Sequence, residues 1–586
     1  MKAPWIPIFT LILLTCFTCS AEPSIVTLLD RVYATPGSFF NITILTKDLA
    51  GVRTFTVRLR RGSTVLFQEV MQARDEAMVR LQAPVEPGAY YIDVLANASA
   101  LTVLARASEP LPVIDEDLWR DPLLICFVWH CHQGINMMPD GTFHGPWAFT
   151  HVYEDQFKPY FTGGAYALHA TLLEKHPSIK VTINWSPSLL WQWLYASKLG
   201  YYDRLKATHV PANSTQVLAA KTLLERLRAL SRNGRMEVLS SFFNHPIPGY
   251  VAERFSWGSD AMAEELTWGL YVTKLAFDEN PRGVWIPEMF FSMKLVDVLN
   301  LSKVTYTVLD ARHHLSNSRG DVGSPYEPYL LRSESGREIY VFFRDSELSD
   351  YISFEVDPKS EEEAKAMARR FVARVLSRRI EKPEARAVIV AADGENWLFG
   401  NSLKAVFLDA VFHYIELSPK VLKAATLSEA LSNAYPRLAL TWVPTTSWAG
   451  GDWVWTSRSE NQLQWSLIGK AGEIYSRIKR ECSDEGIRLA SAFCLFMALN
   501  SDVIHVEYTM QTHTEAWSRQ LEMICYKGSQ EADKLLSRYM TPGIQRVRVD
   551  VDCRVCGSSP LDYLPQLFVA LIAALALMIY LRGRRR

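Results

Sequence analysis

The 586-residue chain has no excess of basic residues, because 62 lysines and arginines stand against 63 aspartates and glutamates. Neutralising the phosphates of a nucleic acid requires such an excess, so we expect no nucleic-acid partner. The sequence also lacks a second cysteine pair at the spacing of a zinc ribbon, because the other Cys-x-x-Cys, Cys16 and Cys19, stands near the opposite end of the chain. Cys553 and Cys556 form one Cys-x-x-Cys pair, which is expected to be a local disulfide or two free thiols rather than half of a zinc site.

Long apolar runs stand near both ends of the chain. Lys2 precedes one that ends in small residues near Ala21, the pattern of a secretory signal over residues 1–21. Residues 564–581 would form about 27 Å of helix, enough to cross a bilayer. The basic tail 582–586 is expected to stay cytoplasmic. The sequence thus predicts a single-pass cell-membrane protein with its catalytic domain outside the cytoplasm; the alternative is that both segments are buried core helices.

A chain of this length predicts two or three domains. Residues 22–112 alternate short apolar strands with turn signals, which is typical of a small Ig-like β-sandwich. This stretch contains no constellation of residues suited to chemistry, so we expect it to be a spacer or a docking module. Residues 401–550 have helical patterns, and we expect a helical domain there that completes the active site.

Residues 118–400 have a different pattern, with seven continuous apolar runs separated by helical stretches. Such runs indicate parallel strands that are buried on both faces. They predict an α/β fold, an incomplete seven-stranded (β/α)7 barrel. The runs are 123–129, 180–185, 235–240, 282–287, 303–309, 337–343 and 386–392.

Polar side chains follow directly after each of these runs. The carboxyl ends of parallel barrel strands meet on one face, which is where barrel enzymes build their active sites. We therefore expect these side chains to converge. They are His130, His132, Ser186, Asn244, His245, Glu288, Asp310, Arg344, Asp345, Glu347, Asp393 and Glu395.

Two of the carboxylates suit glycosidic cleavage, which requires one group to protonate the leaving oxygen and another to attack or to activate water. Glu288 follows an apolar strand among large apolar residues, where an idle glutamate would be costly; it is either catalytic or paired with an arginine such as Arg344. Asp393 either makes a turn or helix cap with Gly394, or is a general acid whose pKa is raised by neighbouring carboxylates.

A metal site is the competing interpretation of the same strand ends. His130 and His132 alternate along one strand end, as two zinc ligands do, and Asp310 or His245 would supply the third. This reading predicts a zinc-dependent carbohydrate deacetylase. Histidines held by ordinary hydrogen bonds are an equally good explanation of the pattern.

Seven segments, in order and spacing, resemble glycoside hydrolase family 57, whose members act on α-glucans as α-amylases, amylopullulanases, 4-α-glucanotransferases and branching enzymes. The resemblance covers residues 120 to 510. The segments are WHCHQG, INWSPSLLWQ, MEVLSSFFNHPI, GVWIPEMFFS, VFFRDSELSDYISF, AADGENW and TTSWAGGDWVWTSRSENQLQW. One departure is Gly134, which stands where the family usually has proline and is expected to change only the stiffness of the loop.

The resemblance implies a role for individual residues. Glu288 matches the family's catalytic nucleophile, and Asp393 matches its general acid/base. His130 and His132 match paired histidines that contact sugar, and Glu395 is expected to support Asp393 through hydrogen bonds. The full set of expected substrate-binding residues is His130, His132, Trp185, His245, Asp310, Asp345, Glu395, Trp448, Trp453 and Asp502.

The sequence therefore predicts a membrane-anchored, retaining glycoside hydrolase of α-glucans such as starch, glycogen and maltooligosaccharides, with no cofactor and no metal. A 4-α-glucanotransferase using the same site is the nearest alternative, because hydrolysis and transfer pass through the same intermediate. A non-catalytic surface glucan-binding protein and the zinc-dependent deacetylase are alternatives of other classes.

Overall fold

The computed structural model describes residues 24–47, 51–143, 145–434, 437–507 and 510–539. The predicted signal peptide, membrane span, basic tail and Cys-x-x-Cys pair all lie outside these ranges. Within the ranges, no helix combines the length and the apolar character needed to span a membrane. The chain divides into two compact units, Met1–Asp115 and Glu116–Arg586.

The first unit contains two antiparallel sheets. Its core comes from alternate residues of the strands, as on Phe39–Lys47, where Phe40, Ile42 and Ile44 are buried. This alternation is what a half-buried strand requires, and it sets one face of each sheet against the other. One sheet has the strand order Ser24–Leu29, Phe39–Lys47, Glu76–Gln82, and the other Thr64–Gln72, Thr54–Arg61, Gly88–Ser99, Thr102–Val113.

Seven parallel strands of the second unit form its barrel, and each overlaps one of the apolar runs that the sequence analysis identified. Nearly all of their residues are buried, as expected for strands covered on both faces. We number them β1 (Leu123–Cys131), β2 (Val181–Trp185), β3 (Met236–Leu239), β4 (Gly283–Val284), β5 (Tyr306–Asp310), β6 (Glu338–Arg344) and β7 (Ala387–Asp393).

The seven strands form two arcs that meet at two narrow junctions. One arc has the order β3-β2-β1-β7, and the other has the order β4-β5-β6. A parallel bridge between Ser240 and Val284 joins β3 to β4. At the other junction, the Asp345 backbone N–H donates to the Ile389 carbonyl over 2.8 Å, which joins β6 to β7. The barrel is thus closed, but by far fewer hydrogen bonds at the junctions than within the arcs.

Helices surround the barrel and extend beyond it. The α-helices of the second unit are Trp147–Tyr153, Ala165–Lys175, Pro187–Leu199, Thr215–Arg232, Pro248–Arg254, Gly258–Phe277, Lys294–Leu301, Ser346–Asp350, Glu361–Glu381, Leu403–Glu416, Leu427–Asn433, Trp453–Thr456, Ser459–Glu481, Glu485–Ala498, Ser501–Ile504, Gln511–Lys527 and Ser529–Tyr539. Short 3-10 helices occur at Glu116–Leu118, Pro287–Met289, Leu315–Asn317 and Asn396–Leu398, and a π-helix at Tyr351–Glu355. Additional short strands are Thr142–Phe143, Tyr201–Asp203, Thr208–Val210, Arg319–Gly320, Tyr329–Arg332, Leu422–Ala424 and Leu438–Trp442.

The predicted alternation of strand and helix fails at one connection. Between β5 and β6 the chain forms the 3-10 turn Leu315–Asn317 and two short strands, and Tyr329–Arg332 pairs antiparallel with β6. The sequence of this connection, RGDVGSPYEPY, has two glycines and two prolines in eleven residues. Glycine and proline are the poorest helix formers, which explains why no helix forms there.

The helices that follow the barrel bring polar residues to the carboxyl ends of its strands. The Ser501 backbone N–H donates to the His245 carbonyl over 2.9 Å. The Asn244 side chain donates to the Phe496 carbonyl over 3.1 Å. These bonds hold the helices Glu485–Ala498 and Ser501–Ile504 against the segment that follows β3.

Close packing of helix Gly258–Phe277 against the segment after β3 gives a test of the fold. A Cβ at Gly269 would lie 1.9 Å from the Ser241 carbonyl oxygen, which is backbone and cannot rotate away. We expect Gly269→Ala to lower the free energy of unfolding by about 1–3 kcal/mol, although alanine is the better helix former. Denaturant unfolding followed by circular dichroism measures this change.

Gly469→Ala is the matched control, since it also lies within a helix but its Cβ would meet only the movable Phe255 ring at 3.2 Å. The control is expected to be close to neutral. Equal stability of the two variants would contradict the packing described here.

Candidate active site

A cleft of about 880 Å³ opens at the carboxyl ends of the barrel strands. It contains eight of the twelve residues that were expected to be catalytic or to bind substrate, and it also contains Arg344. The eight come from β1, β7, the segments that follow β1, β3, β4 and β7, the loop that contains Trp448, and the helix Ser501–Ile504. The eight are His130, His132, His245, Glu288, Asp393, Glu395, Trp448 and Asp502.

Glu288 enters the cleft from a strained turn. It lies in the 3-10 turn Pro287–Met289 after β4, with φ 56° and ψ 13°, and Met289 follows at φ 46°. Two successive residues with side chains in the left-handed region cost free energy, and such geometry persists only where the surroundings enforce it. The Glu288 carbonyl accepts a 3.3 Å hydrogen bond from the Trp448 N–H, which helps to hold the turn.

The carboxyl group of Glu288 has two polar neighbours. The Trp448 indole Nε1–H donates to Oε2 over 2.9 Å, and the Ser501 Oγ lies 3.3 Å from Oε1. Burial, aided by the charge of Asp393, raises the pKa of Glu288 to about 7 against the lowering effect of the Trp448 hydrogen bond. The side chain therefore titrates near neutral pH, where an acid or a nucleophile would be used.

Asp393 is the last residue of β7, and it lies level with His130 of β1 in the parallel register. Its Oδ2 accepts a 3.0 Å hydrogen bond from the Asn396 amide. Burial raises its pKa above the ordinary aspartate value, although this hydrogen bond opposes the shift. The next residue, Gly394, leaves no room for a side chain, because a Cβ there would lie 2.3 Å from the Cys131 Sγ. The Asp-Gly pair therefore serves close packing of β7 on β1 rather than a helix cap.

Glu395 is buried beside Asp393, and its Oε1 accepts a 3.1 Å hydrogen bond from the His132 backbone N–H. Burial and the charge of Asp393 raise its pKa well above the ordinary value. Glu395 thus fixes the chain after β1. It lines the same wall of the cleft as Asp393.

Asp502 is the carboxylate of the cleft that stays ionised. Burial would raise its pKa, but the adjacent His132 and the Gly134 N–H outweigh burial and lower it. His132 Nε2 and the Gly134 backbone N lie 3.2 Å from Oδ2. A Cβ at position 134 would lie 2.3 Å from the Asn500 amide nitrogen. Glycine in place of the family's proline therefore supplies both the N–H and the space that Asp502 needs, a larger effect than loop stiffness.

The three histidines of the cleft lie with their ring nitrogens within 4.8 Å of one another, which invites a metal. The rings of His132 and His245, however, stack face to face with centroids 3.7 Å apart and planes 19° apart. Imidazole lone pairs lie in the ring plane, so two stacked rings cannot both point at one zinc ion about 2.0–2.1 Å away. Of the two residues expected to supply the third ligand, Asp310 is absent from the cleft lining, and His245 Nε2 lies 2.9 Å from His130 Nε2, at hydrogen-bond distance. The zinc interpretation does not fit this geometry.

Four predicted substrate-binding residues do not line the cleft. Asp310 is fully buried and binds the Arg344 Nε over 2.7 Å. Asp345 caps the helix Ser346–Asp350 and binds the Arg378 Nε over 2.8 Å. Trp185 is fully buried, with its indole Nε1 3.5 Å from the Met236 Sδ. Trp453 is 55% exposed and donates to the Ala449 carbonyl.

Asn184 and Ser501 contact side chains of the cleft and were not identified from the sequence. Asn184 lies one residue inside the end of β2, and its Oδ1 is 2.8 Å from His130 Nδ1. Ser501 lies in a helix that is remote in sequence and contacts both His245 and Glu288. Only the register of β1 with β2 and the packing of the helices reveal them, although Ser501 directly precedes the predicted Asp502.

The chain was compared with known proteins. A family model described as "Glycosyl hydrolase family 57" matches residues 126–441. A 4-alpha-glucanotransferase of Thermococcus litoralis is 23% identical over 373 residues, which are 62% of this chain and 45% of that protein. An alpha-amylase of Pyrococcus furiosus is 23% identical over 378 residues, which are 63% of this chain and 46% of that protein. The chain thus spans about half the length of these relatives.

Two solved structures are similar over almost their full length. A GH57 branching enzyme from Thermococcus kodakaraensis has a TM-score of 0.53 at 16% identity, covering 74% of this chain and 99% of that one. The alpha-amylase AmyC from Thermotoga maritima has a TM-score of 0.53 at 15% identity, with the same two coverages. At such low identities the likeness concerns the fold.

The buried ion pair gives a test of the site's framework. Asp310→Ala leaves the Arg344 guanidinium, whose side chain is 8% exposed, without its nearest counter-charge. We expect the free energy of unfolding to fall by about 3 kcal/mol or more. The control is Asp357→Ala, which removes an exposed pairing with Lys359 and should cost less than about 1 kcal/mol. Similar losses from both variants, measured by denaturant unfolding, would contradict the framework role of Asp310.

Proposed function

Because the chain belongs to glycosyl hydrolase family 57, we propose that it cleaves α-glucans with retention of configuration, with Glu288 as the nucleophile and Asp393 as the general acid/base. The observation that carries the proposal is the meeting of these two carboxyl groups in one cleft, from β4 and β7. Both match the positions that family 57 uses for this chemistry. A surface protein that only binds glucan would gain nothing from keeping two partly buried carboxyl groups at such a cost.

The proposed reaction has two displacements. Asp393 protonates the glycosidic oxygen while a Glu288 oxygen attacks the anomeric carbon, so the leaving chain departs with the proton and a glycosyl ester forms on Glu288. Asp393, now ionised, then takes a proton from a water molecule or a sugar hydroxyl, whose oxygen attacks the same carbon and releases Glu288. Water gives hydrolysis, and a sugar hydroxyl gives transfer.

Charge in the cleft acts on both proposed catalytic groups. The ionised Asp502 raises the pKa of both Glu288 and Asp393 after the larger effect of burial. Protons held by such a coupled pair belong to the pair rather than to one member. Catalysis requires the proton on Asp393 and an ionised Glu288, and the indole N–H of Trp448 favours the ionised form of Glu288.

Aromatic side chains at the mouth of the cleft support a glucan as the substrate. Trp147 is 42% exposed and Phe354 is 71% exposed, and both line the cleft. Exposed rings of this size are costly in water, whereas the apolar faces of sugars can stack on them. His130, His132, His245 and Trp448 line the deeper part beside the carboxyl groups, and we assign them to contacts with the reacting sugar.

Single variants test the roles of the two carboxyl groups. With α-maltosyl fluoride, whose leaving group needs no proton, we expect Asp393→Ala to form the glycosyl ester and azide to accelerate turnover, giving the α-glycosyl azide. Glu288→Ala should lose at least about 100-fold in turnover on maltoheptaose and give the β-azide, if any. Asp357→Ala, a substitution at an exposed residue outside the cleft, is the control for expression and purification of a variant. Azide products of the opposite configuration would mean either that the two roles are exchanged or that both assignments are wrong.

Product analysis separates the activities. Maltoheptaose incubated with the protein should give shorter chains with new reducing ends if water accepts the glycosyl group. A ladder of longer chains at a constant number of reducing ends would instead indicate a 4-α-glucanotransferase. An unchanged substrate, with glucan binding intact, would refute the enzymatic proposal in favour of a non-catalytic binding protein.

We further propose that the protein is exported and anchored in the cell membrane by residues 564–581, a proposal that rests on the sequence. The catalytic unit would then meet polysaccharide outside the cytoplasm. After expression, the full chain should remain with the membranes in alkaline carbonate, whereas a chain ending at residue 560 should be released. Release of the full chain by carbonate would contradict the anchor.

A further inference from the structure

A continuous line of hydrogen bonds leads from the barrel wall to Glu288. His130 Nδ1 lies 2.8 Å from Asn184 Oδ1, and His130 Nε2 lies 2.9 Å from His245 Nε2. His245 Nδ1 then lies 2.7 Å from the Ser501 Oγ, which lies 3.3 Å from Glu288 Oε1. We call Asn184, His130, His245 and Ser501 the relay.

The direction of the relay is set at Asn184. Its Nδ2 donates to the carbonyls of Leu239 and Ser240, over 3.1 and 3.0 Å. The amide oxygen therefore faces His130 and can only accept, so His130 carries its hydrogen on Nδ1. Burial keeps the His130 ring neutral, since it lowers the pKa to about 3. The remaining His130 nitrogen, Nε2, is consequently an acceptor.

The same logic fixes the next two members. His245 must donate from Nε2, because the His130 nitrogen that it meets has no hydrogen. His245 is also neutral, with burial lowering its pKa well below the ordinary value, so its Nδ1 accepts. The single hydroxyl hydrogen of Ser501 is then directed to His245. Towards Glu288, Ser501 presents only a lone pair.

We propose that this relay holds the resting Glu288 in its protonated form, because Ser501 can accept a hydrogen bond from Glu288 but cannot donate one to it. The inference rests on the proposed role of Glu288 and adds a consequence. The nucleophile must give up a proton before it attacks, and the relay sets the pH at which it does so. The four relay members are thus positioning residues that act on the nucleophile through Ser501.

Other charged groups face Glu288 and act beside the relay. Asp393 at the end of β7 and Asp502 in the helix Ser501–Ile504 both favour its protonated form. His132 after β1 and the Trp448 indole favour the ionised form. None of these four groups depends on the tautomers of His130 and His245, so a change within the relay leaves their influence in place.

The direction in which the pH profile of a variant shifts distinguishes the proposal from the opposite arrangement, in which Ser501 donates a hydrogen bond to Glu288. The acid limb of the kcat/KM profile reports the ionisation of Glu288 in the free enzyme. Ser501→Ala removes the acceptor, and we expect this limb to move to lower pH by about one unit. Ser501→Thr keeps the hydroxyl and should leave the limb in place. A shift to higher pH in Ser501→Ala would show that Ser501 donates to Glu288, and no shift would also refute the relay.

Asn184→Asp tests the direction of the hydrogen bonds in the relay from its far end, three side chains away from Glu288. A carboxylate there favours the ionised His130, whose Nε2 would then donate to His245, so that His245 would donate from Nδ1 and leave the Ser501 hydrogen to Glu288. The limb should again move to lower pH, and further than in Ser501→Ala. The variant loses two donations to backbone carbonyls, so Ser501→Ala remains the primary test if it does not fold.

A spectroscopic readout separates this inference from the proposed enzymatic activity. The carboxylic-acid carbonyl band that infrared spectroscopy detects in the wild type and not in Glu288→Gln belongs to Glu288. Its titration midpoint should lie near neutral pH and fall in Ser501→Ala. That result would stand even if the protein cleaved no glucan. An active protein whose band does not move, or moves upward, would refute the relay and leave the proposed function intact.

Discussion

The burial of polar groups at one end of the barrel is the constraint on which the site depends. β1, β2 and β7 are apolar and buried up to their last residues, and then place His130, Asn184 and Asp393 level with one another. Away from water, each of these groups needs a partner, because an unsatisfied buried polar atom costs about 1–3 kcal/mol. The register of the parallel strands supplies the partners, so fold and site geometry are determined together.

The same constraint explains what the sequence could and could not predict. The seven strands are long apolar runs, and their ends are marked by polar residues, so both were visible. Trp185 follows the inward-facing Asn184, and alternation along a strand turns it outward to Tyr166 and Trp193 of the helices. Asp310 pairs with Arg344, the residue opposite it in register. Which residue pairs with a charge depends on strand register and packing. The local sequence pattern contains neither.

Backbone strain is concentrated where the cleft needs a particular direction. Besides the turn at Glu288, His245 has φ 55°, and both residues are held by the helix Ser501–Ile504 or the loop of Trp448. Each left-handed residue of this kind costs about 1–3 kcal/mol. The helices after the barrel therefore do more than cover it, since they hold two strained residues in the orientation in which the imidazole and the carboxyl group meet Ser501.

Glu288 lies between two hydrogen bonds of opposite effect, and both act on a pKa that burial raises to about 7. Trp448 donates to Oε2 and stabilises the negative charge, whereas Ser501 in the proposed relay offers Oε1 only a lone pair. A carboxyl group with donors on both oxygens would be ionised but a weaker nucleophile, and one with no donor would stay protonated. One donor and one acceptor keep the two forms close in free energy. In the proposed mechanism, a bound sugar chain needs to change this balance only slightly to move the proton away from Glu288.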